Sequence, residues 1–303
     1  MKNFEYVAPK TVREAVKALA ANGKEARILA GGTDLIVQMR VGRRQPERVV
    51  DVKNIPELNE LSFSPRRGLV IGAAVPCHTI YENAEVVERY PGLIDTVSIV
   101  GGIQIQGRAT VGGNLCNAAP SADTVPVLIA YGAQCDIVGP NGKRTLPVEE
   151  VCTAPGQTCL APDELLVSIK LPANRKNVGA HYLRFIPRNE MDIAVVGAGA
   201  CVELGGRGKS RTFKSARIGL ASVAPTPVFA QASGDMLAGQ PVSDENIEAA
   251  AQAAKAAAKP ISDMRGPAEF RTHLVGVLTK RALHGAVKRA LGEFVPNAVE
   301  ESP

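Results

Sequence analysis

Two glycine pairs, each placed directly after a short apolar run, constrain the fold of this chain more than any other feature. Gly31-Gly32 follows the run 26–30 (ARILA), and Gly112-Gly113 follows the run 109–111 (ATV). We expect each pair to end a buried strand. Glycines without a Cβ let a ligand approach the main chain, and successive N–H groups can then point at one anion. Two such loops facing each other predict a pyrophosphate site; the alternative is that both are tight turns.

Polar side chains around the second pair support a ligand site. Thr33, Thr110 and Asn114 add donors of suitable length beside the two pairs. Asp123 lies in an apolar stretch, where a carboxylate is costly to bury without hydrogen bonds. It either accepts bonds from a nucleoside or belongs to the start of the helix predicted over 125–132. Neither loop has the third glycine or the following acid of a Rossmann dinucleotide site.

Composition excludes several classes of protein. The 303 residues carry 35 Lys and Arg against 30 Asp and Glu, a net charge of +5, with no basic run typical of nucleic-acid binding. No segment reaches the roughly 18 apolar residues of a membrane span, and no apolar leader opens the chain, so we expect a cytoplasmic protein. The six cysteines and four histidines are scattered, which predicts no metal site and no catalytic residue in this chain.

Periodicity and turn residues predict the elements of the first half. A helix capped by Thr11 and Glu14 and stopped by Gly23, a strand over 26–30, a helix over 34–42 and a strand over 47–52 form a βαβ-type unit. Short apolar runs then predict a more antiparallel layer around a buried helix. Its strands are expected over 68–75, 109–114, 133–147 and 163–172.

A segment rich in Pro, Asn and Gly, residues 171–181, is predicted to be a linker to a second unit. Beyond it we expect a three-stranded sheet over 181–188, 194–204 and 215–225. A helix capped by Ser243 and a second one opening at Pro267 follow.

Five segments in order give the chain a resemblance to a known family. They are ILAGGTDLI (28–36), TVGGNLCNAAPSAD (110–123), DELLVSIKLP (163–172), YLRFIPRNEMDIAVVGAG (182–199) and DMRGPAEFRTHLVGVLTKRAL (263–283). Together they resemble the medium, FAD-binding subunit of the molybdenum hydroxylases, the family of xanthine dehydrogenase and carbon monoxide dehydrogenase. The similarity runs from Phe4 to about Ala286.

The resemblance implies an α+β fold with two domains and a tail. Residues 1–175 would form an FAD-binding domain of the vanillyl-alcohol oxidase (PCMH) type with two subdomains. Residues 178–290 would form a small C-terminal domain of a three-stranded antiparallel sheet plus helices, followed by a tail over 291–303.

The resemblance also implies a set of FAD contacts. The two glycine loops would hold the pyrophosphate, Asp123 the adenosine, Val100 and Leu166 apolar parts of the cofactor, and Arg184 and Ile193 the isoalloxazine ring. The complete set is Ile28, Leu29, Ala30, Gly31, Gly32, Thr33, Asp34, Leu35, Val100, Ile105, Thr110, Val111, Gly112, Gly113, Asn114, Ala118, Ser121, Asp123, Leu166, Arg184 and Ile193. The first loop lacks the His that attaches flavin in covalent relatives of the wider fold, so FAD is expected to be held non-covalently.

The implied function is electron transfer within a heteromeric complex. A small partner would carry [2Fe-2S] clusters and a large partner the molybdopterin cofactor, in a dimer of heterotrimers, and FAD here would pass electrons to an external acceptor. Docking is expected at residues 188–194 (RNEMDIA), which are polar and charged beside the proposed flavin face. Two alternatives remain open: a self-sufficient FAD-dependent oxidoreductase of the same fold, and a non-redox nucleotide-binding module.

Overall fold

The computed structural model describes residues 1–188 and 191–296. The chain opens with a three-stranded parallel sheet in the order β1-β3-β2, as the predicted βαβ-type unit requires. Its elements are β1 (Glu5–Val7), α1 (Val12–Asn22), β2 (Ala26–Leu29), α2 (Leu35–Arg40) and β3 (Arg48–Asp51).

The predicted signals at both ends of α1 are confirmed. The Thr11 hydroxyl accepts from the Glu14 N–H at 3.2 Å, and Gly23 ends the helix with φ +52°. The Glu14 carboxylate accepts from the Lys10 N–H instead of closing a capping box with Thr11. Ala15, Val16 and Leu19 face the core.

The second unit is built on a five-stranded antiparallel sheet in the order β4-β5-β10-β6-β7. Its strands are β4 (Leu61–Ser64), β5 (Gly68–Gly72), β6 (Gln134–Gly139), β7 (Gly142–Pro147) and β10 (Leu165–Leu171); β8 (Cys152–Ala154) and β9 (Gln157–Thr158) form a separate hairpin. The helices are α3 (Cys77–Tyr81), α4 (Ala84–Arg89), α5 (Pro91–Val97), α6 (Ile103–Gln106), α7 (Val111–Cys116) and α8 (Thr124–Tyr131). The predicted antiparallel layer is thus confirmed, and every residue of α8 is buried.

The strand predicted over 109–114 is wrong. Thr110 is the N-cap of α7, and its hydroxyl accepts from the Gly113 N–H at 2.9 Å. Only an isolated bridge between Pro76 and Thr110 remains of the expected pairing. An apolar run of three residues provides too few ladder bonds to outweigh a capped helical turn.

The last unit is a four-stranded antiparallel sheet in the order β11-β12-β13-β14, covered by helices. Its elements are β11 (Val178–Phe185), β12 (Val196–Gly205), β13 (Thr212–Ala221), β14 (Val228–Phe229), α9 (Gln231–Asp235), α10 (Asp244–Ala257) and α11 (Ala268–Ala290). The three long strands and both helices were predicted, and the two-residue β14 is an addition. The predicted linker overlaps β11, so the connection is shorter, residues 172–177.

Three hydrophobic clusters hold the fold together. One lies under α1 and the parallel sheet, one between the five-stranded sheet and α3–α8, and one between the C-terminal sheet and α10–α11. Tyr182 of β11 is fully buried in the middle cluster. Strand β11 therefore fastens the C-terminal sheet to the rest of the molecule.

Candidate functional site

A cavity of about 580 Å³ lies where the glycine loops meet β2 and the start of β10. Its volume is typical of a cofactor pocket, about 300–1,000 Å³. Thirteen of the predicted site residues line it: Ile28, Ala30, Gly31, Gly32, Thr33, Asp34, Leu35, Val100, Thr110, Gly112, Gly113, Asn114 and Leu166. The structure thus brings together the two glycine loops, whose glycine pairs lie 81 positions apart in the sequence.

The glycines let the backbones around the cavity approach one another. A Cβ on Gly31 would lie 2.1 Å from the carbonyl oxygen of Arg108, and one on Gly112 would lie 2.4 Å from that of Ala73. Real atoms cannot approach so closely. Both positions therefore require glycine because protein backbone packs against them. The sequence analysis had instead interpreted the missing side chains as space for a ligand.

Some backbone donors of the two loops have no hydrogen-bond partner among the described residues. Within residues 1–188 and 191–296, the N–H groups of Gly32, Thr33 and Gly112 donate to no protein acceptor. All three residues line the cavity. Unpaired backbone N–H groups on a cavity wall are the donors that can bind a phosphate oxygen.

Two amide side chains add to this wall. The Asn114 Oδ1 accepts from the Thr124 hydroxyl at 2.7 Å, which orients the side chain and directs its NH₂ group away from Thr124. Gln38 Nε2 donates to Asn117 Oδ1 at 3.0 Å, joining α2 to the end of α7. These contacts fix the two loops relative to each other.

Three basic side chains line the same cavity and escaped the sequence analysis. Lys24, Arg27 and Arg44 form no ion pair in the part of the chain that the structure describes. Burial, followed by the charge of Arg44, holds the pKa of the Arg27 guanidinium below its ordinary value. Arg27 is fastened by bonds from Nη1 to the carbonyls of Lys24 and Ala26, both 2.6 Å. The charge of Glu25 opposes part of this shift, and the cavity wall carries more basic than acidic side chains. Burial raises the pKa of the Asp34 carboxyl on the first glycine loop.

Asp123 and Arg184 lie apart from the cavity wall and bind each other. Arg184 Nη1 donates to Asp123 Oδ2 at 2.7 Å, and the Tyr182 hydroxyl donates to Oδ1 at 2.7 Å. Asp123 precedes α8, but its side chain makes no capping bond. Burial raises the pKa of this carboxyl, and Arg184 and Tyr182 act against that shift. Because the two side chains bind each other, a ligand group that contacts one of them also lies close to the other.

The other predicted residues also lie off the cavity wall: Leu29, Ile105, Val111, Ala118, Ser121 and Ile193. Ile193 is half exposed beside Met191 on the loop after β11. Asp192 holds this loop by accepting from the Ile193 N–H at 2.8 Å and from Arg188 at 3.4 Å. Asn189 and Glu190, part of the predicted docking segment, lie outside the described residues.

Further lining residues come from the β8–β9 hairpin, the loop that follows it and the first residue of β10. Gly156, Gln157, Thr158, Leu160, Ala161, Pro162, Glu164 and Leu165 close this side. Their sequence has no periodic or glycine-pair signal, so only the folded chain identifies them.

Across residues 1–188 and 191–296, no group of three or more His, Cys, Asp and Glu side chains is arranged to hold a metal ion. No helix in that same part is long and apolar enough to span a membrane.

Comparison with known families defines the class of protein. Residues 2–174 match the FAD binding domain in molybdopterin dehydrogenase, and residues 181–286 match the CO dehydrogenase flavoprotein C-terminal domain. The chain therefore belongs to the FAD-binding medium subunits of the molybdenum hydroxylase family. It is an oxidoreductase subunit whose cofactor is FAD.

Characterised relatives cover nearly the whole chain. It is 34% identical over 286 residues to the carbon monoxide dehydrogenase medium chain of Hydrogenophaga pseudoflava, covering 94% of this chain and 98% of that one. It is 32% identical over 285 residues to the xanthine dehydrogenase FAD-binding subunit of Escherichia coli O157:H7, covering 94% and 96%.

Solved structures show the same fold. The carbon monoxide dehydrogenase from Hydrogenophaga pseudoflava that lacks the Mo-pyranopterin moiety superposes with a TM-score of 0.89 at 34% identity, covering 95% of this chain and 98% of that chain. Quinoline 2-oxidoreductase from Pseudomonas putida 86 superposes with a TM-score of 0.86 at 27% identity, covering 96% and 100%. The predicted α+β architecture with a PCMH-type FAD-binding domain is confirmed.

Proposed function

We propose that this chain is the electron-transfer subunit of a heteromeric molybdenum hydroxylase. The observation that carries the proposal is the cavity, where unpaired N–H groups of two loops and three unpaired cations surround a space of cofactor size. When bound, FAD supplies the redox chemistry, accepting electrons from [2Fe-2S] clusters of a partner and delivering them to an external acceptor. The protein's task is to bind and orient the cofactor.

Specific residues would divide that task. The N–H groups of Gly32, Thr33 and Gly112 would bind the pyrophosphate, with the Asn114 amide as a further donor. Val100 and Leu166 would pack on apolar parts of the cofactor. The first loop has no His, Cys or Tyr side chain in residues 30–35, which supports non-covalent binding.

We assign Asp123 and Arg184 a joint role beside the cofactor. Their ion pair, buried with Tyr182, would fix the position of β11 and thereby of the loop that carries Ile193. Ile193 would cover part of the cofactor that extends beyond the cavity. Leu29, Ile105, Val111, Ala118 and Ser121 would support the loops from behind.

The partners follow from the same proposal. We propose a small [2Fe-2S] subunit and a large molybdenum subunit, with docking at the loop 188–194 and assembly into a dimer of heterotrimers in the cytoplasm. The exposed Met191 and Ile193 give this loop the apolar surface that an interface core requires.

We also propose two domains, 1–175 and 178–290, since the short connection 172–177 separates β10 from β11.

Reconstitution tests the proposal. The purified chain should be yellow, and dithionite should bleach it, yet purines, aldehydes and N-heterocycles should leave its flavin oxidised. Adding the cluster-bearing and molybdenum chains should allow one of those substrates to reduce the flavin. Turnover of an organic substrate by the lone chain at about 1 s⁻¹ or faster would instead identify a self-sufficient oxidoreductase.

A further inference from the structure

We propose that a groove between α10 and α11, remote in sequence from both glycine loops, binds a small phosphate-bearing anion. The groove has a volume of about 440 Å³ and shares no lining residue with the FAD cavity. It is lined by Glu248, Gln252, Lys255, His273, Gly276, Val277, Lys280, Arg281 and His284. This inference does not depend on the electron-transfer proposal.

The two helices run antiparallel and each contributes one face to the groove. Lys280 pairs with Glu248 at 2.7 Å, and His284 lies 3.8 Å from Asp244, so later residues of α11 meet earlier residues of α10. The carboxylates therefore lie toward the α10 N-terminus. The other end of the groove, with Lys255 and His273, has no acidic lining residue.

The charge of the groove is not balanced by its own side chains. Lys255, Lys280 and Arg281 line it against Glu248, and the Asp244 carboxylate lies 3.8 Å from the lining residue His284, so the three cationic side chains exceed the nearby carboxylates by one. Among the described residues, neither Lys255 nor Arg281 forms an ion pair with a carboxylate. Unpaired cations converging on a concave surface attract an anion, and phosphate matches both ammonium and guanidinium donors.

Gly276 lets the Lys255 side chain pack directly against the backbone of α11 and so fixes its position. The Lys255 side chain crosses Gly276 so closely that a Cβ there would lie 2.4 Å from Lys255 Cε and 3.2 Å from Nζ. The aliphatic part of Lys255 is thus packed on the backbone of α11. A lysine ordered in this way loses less side-chain entropy when its ammonium binds an anion.

Titration of FAD-saturated protein with inorganic pyrophosphate, followed by calorimetry at low salt, tests the site. We expect one molecule to bind per chain, with affinity about tenfold weaker in Lys255→Gln and in Arg281→Gln, because each loses a charged hydrogen bond. Lys288→Gln is the matched control, since Lys288 is an exposed cation of α11 outside the groove. Flavin absorbance is recorded throughout to detect any displacement of FAD.

Gly276→Ala tests whether the position of the Lys255 side chain matters for binding while the charge of the groove stays the same. It keeps every cation and favours the helix, but it pushes Lys255 from its place, so binding should weaken several-fold in a protein that remains folded. Absence of binding, equal affinity in wild type and Lys255→Gln, unchanged binding in Gly276→Ala, an equal loss in Lys288→Gln, or release of FAD by pyrophosphate would each overturn the proposal. None of these results would affect the reconstitution test of the proposed function.

Discussion

The backbone of Gly31 lies directly against the carbonyl group of Arg108, with 2.1 Å between that oxygen and the position a Cβ would occupy. Arg108 Nε in turn donates to the Gly31 carbonyl at 3.2 Å. The first glycine loop is therefore joined to the segment that leads into the second. This contact sets the distance between the two walls of the FAD cavity.

Gly31→Ala and Gly112→Ala should each weaken FAD retention and destabilise the fold. A methyl group would force backbone segments apart, at a cost of about 1–3 kcal/mol in the free energy of unfolding. The flavin-to-protein ratio and urea unfolding measure the two effects. Gly107→Ala is the control, because a Cβ there meets nothing within 4 Å. Full flavin occupancy with wild-type stability in Gly31→Ala would contradict this role.

Arg27→Met should weaken FAD binding more than it changes the stability of the apo-protein. In the apo-protein the lost repulsion between Arg27 and Arg44 offsets the lost bonds from Arg27 to the Lys24 and Ala26 carbonyls. The dissociation constant for FAD should rise roughly tenfold, the effect of losing one charged hydrogen bond. Fluorescence titration of apo-protein with FAD gives the constant. Arg13→Met, on the exposed side of α1, should bind like wild type, and an unchanged constant in Arg27→Met would exclude a contact with the cofactor.

The Asp123–Arg184 pair should behave as one unit. Arg184→Met leaves a buried carboxylate without its cation and should lower the free energy of unfolding by about 3–5 kcal/mol. The double variant Asp123→Asn, Arg184→Met should recover part of this loss, because no buried charge remains unpaired. Urea unfolding of the single and double variants gives the coupling, and strictly additive losses would show that the pair is not coupled. The flavin content of the double variant reports whether the pair also touches FAD.

His181 should make the protein less stable at mildly acidic pH. Burial, and then the charge of Arg289, lower the pKa of this imidazole from 6.5 to about 3. Both ring nitrogens are buried without a hydrogen-bond partner in the described structure, and Asp95 Oδ2 lies 3.9 Å from Nε2. Between those values the unfolded chain binds the extra proton. Stability is therefore complete above pH 6.5 and falls toward pH 3 by up to about 1.4 kcal/mol per pH unit. Urea unfolding from pH 7 to pH 4.5 should show a steeper loss in wild type than in His181→Asn; parallel curves would refute the assignment.

Local patterns in the sequence determined those features whose causes lie within a few residues. The cap of α1 at Thr11 was predictable because hydroxyl and N–H are three residues apart, and the antiparallel strands because apolar runs alternate with turn residues. The glycine pairs marked both walls of the cavity for the same reason. The ordered motifs were sufficient to predict the family.

Only the tertiary structure decided which distant groups meet. Arg184 reaches Asp123 across 61 positions, and Gly31 meets Arg108 across 77. No periodicity records such separations, and the unpaired cations of Lys24, Arg27 and Arg44 become significant only when the fold places them on one cavity. The helix at Gly112 was missed because a short apolar run resembles a strand. The cap at Thr110 outweighs the few ladder bonds that such a run can form, and the backbone of Ala73 packs against Gly112 in the folded chain.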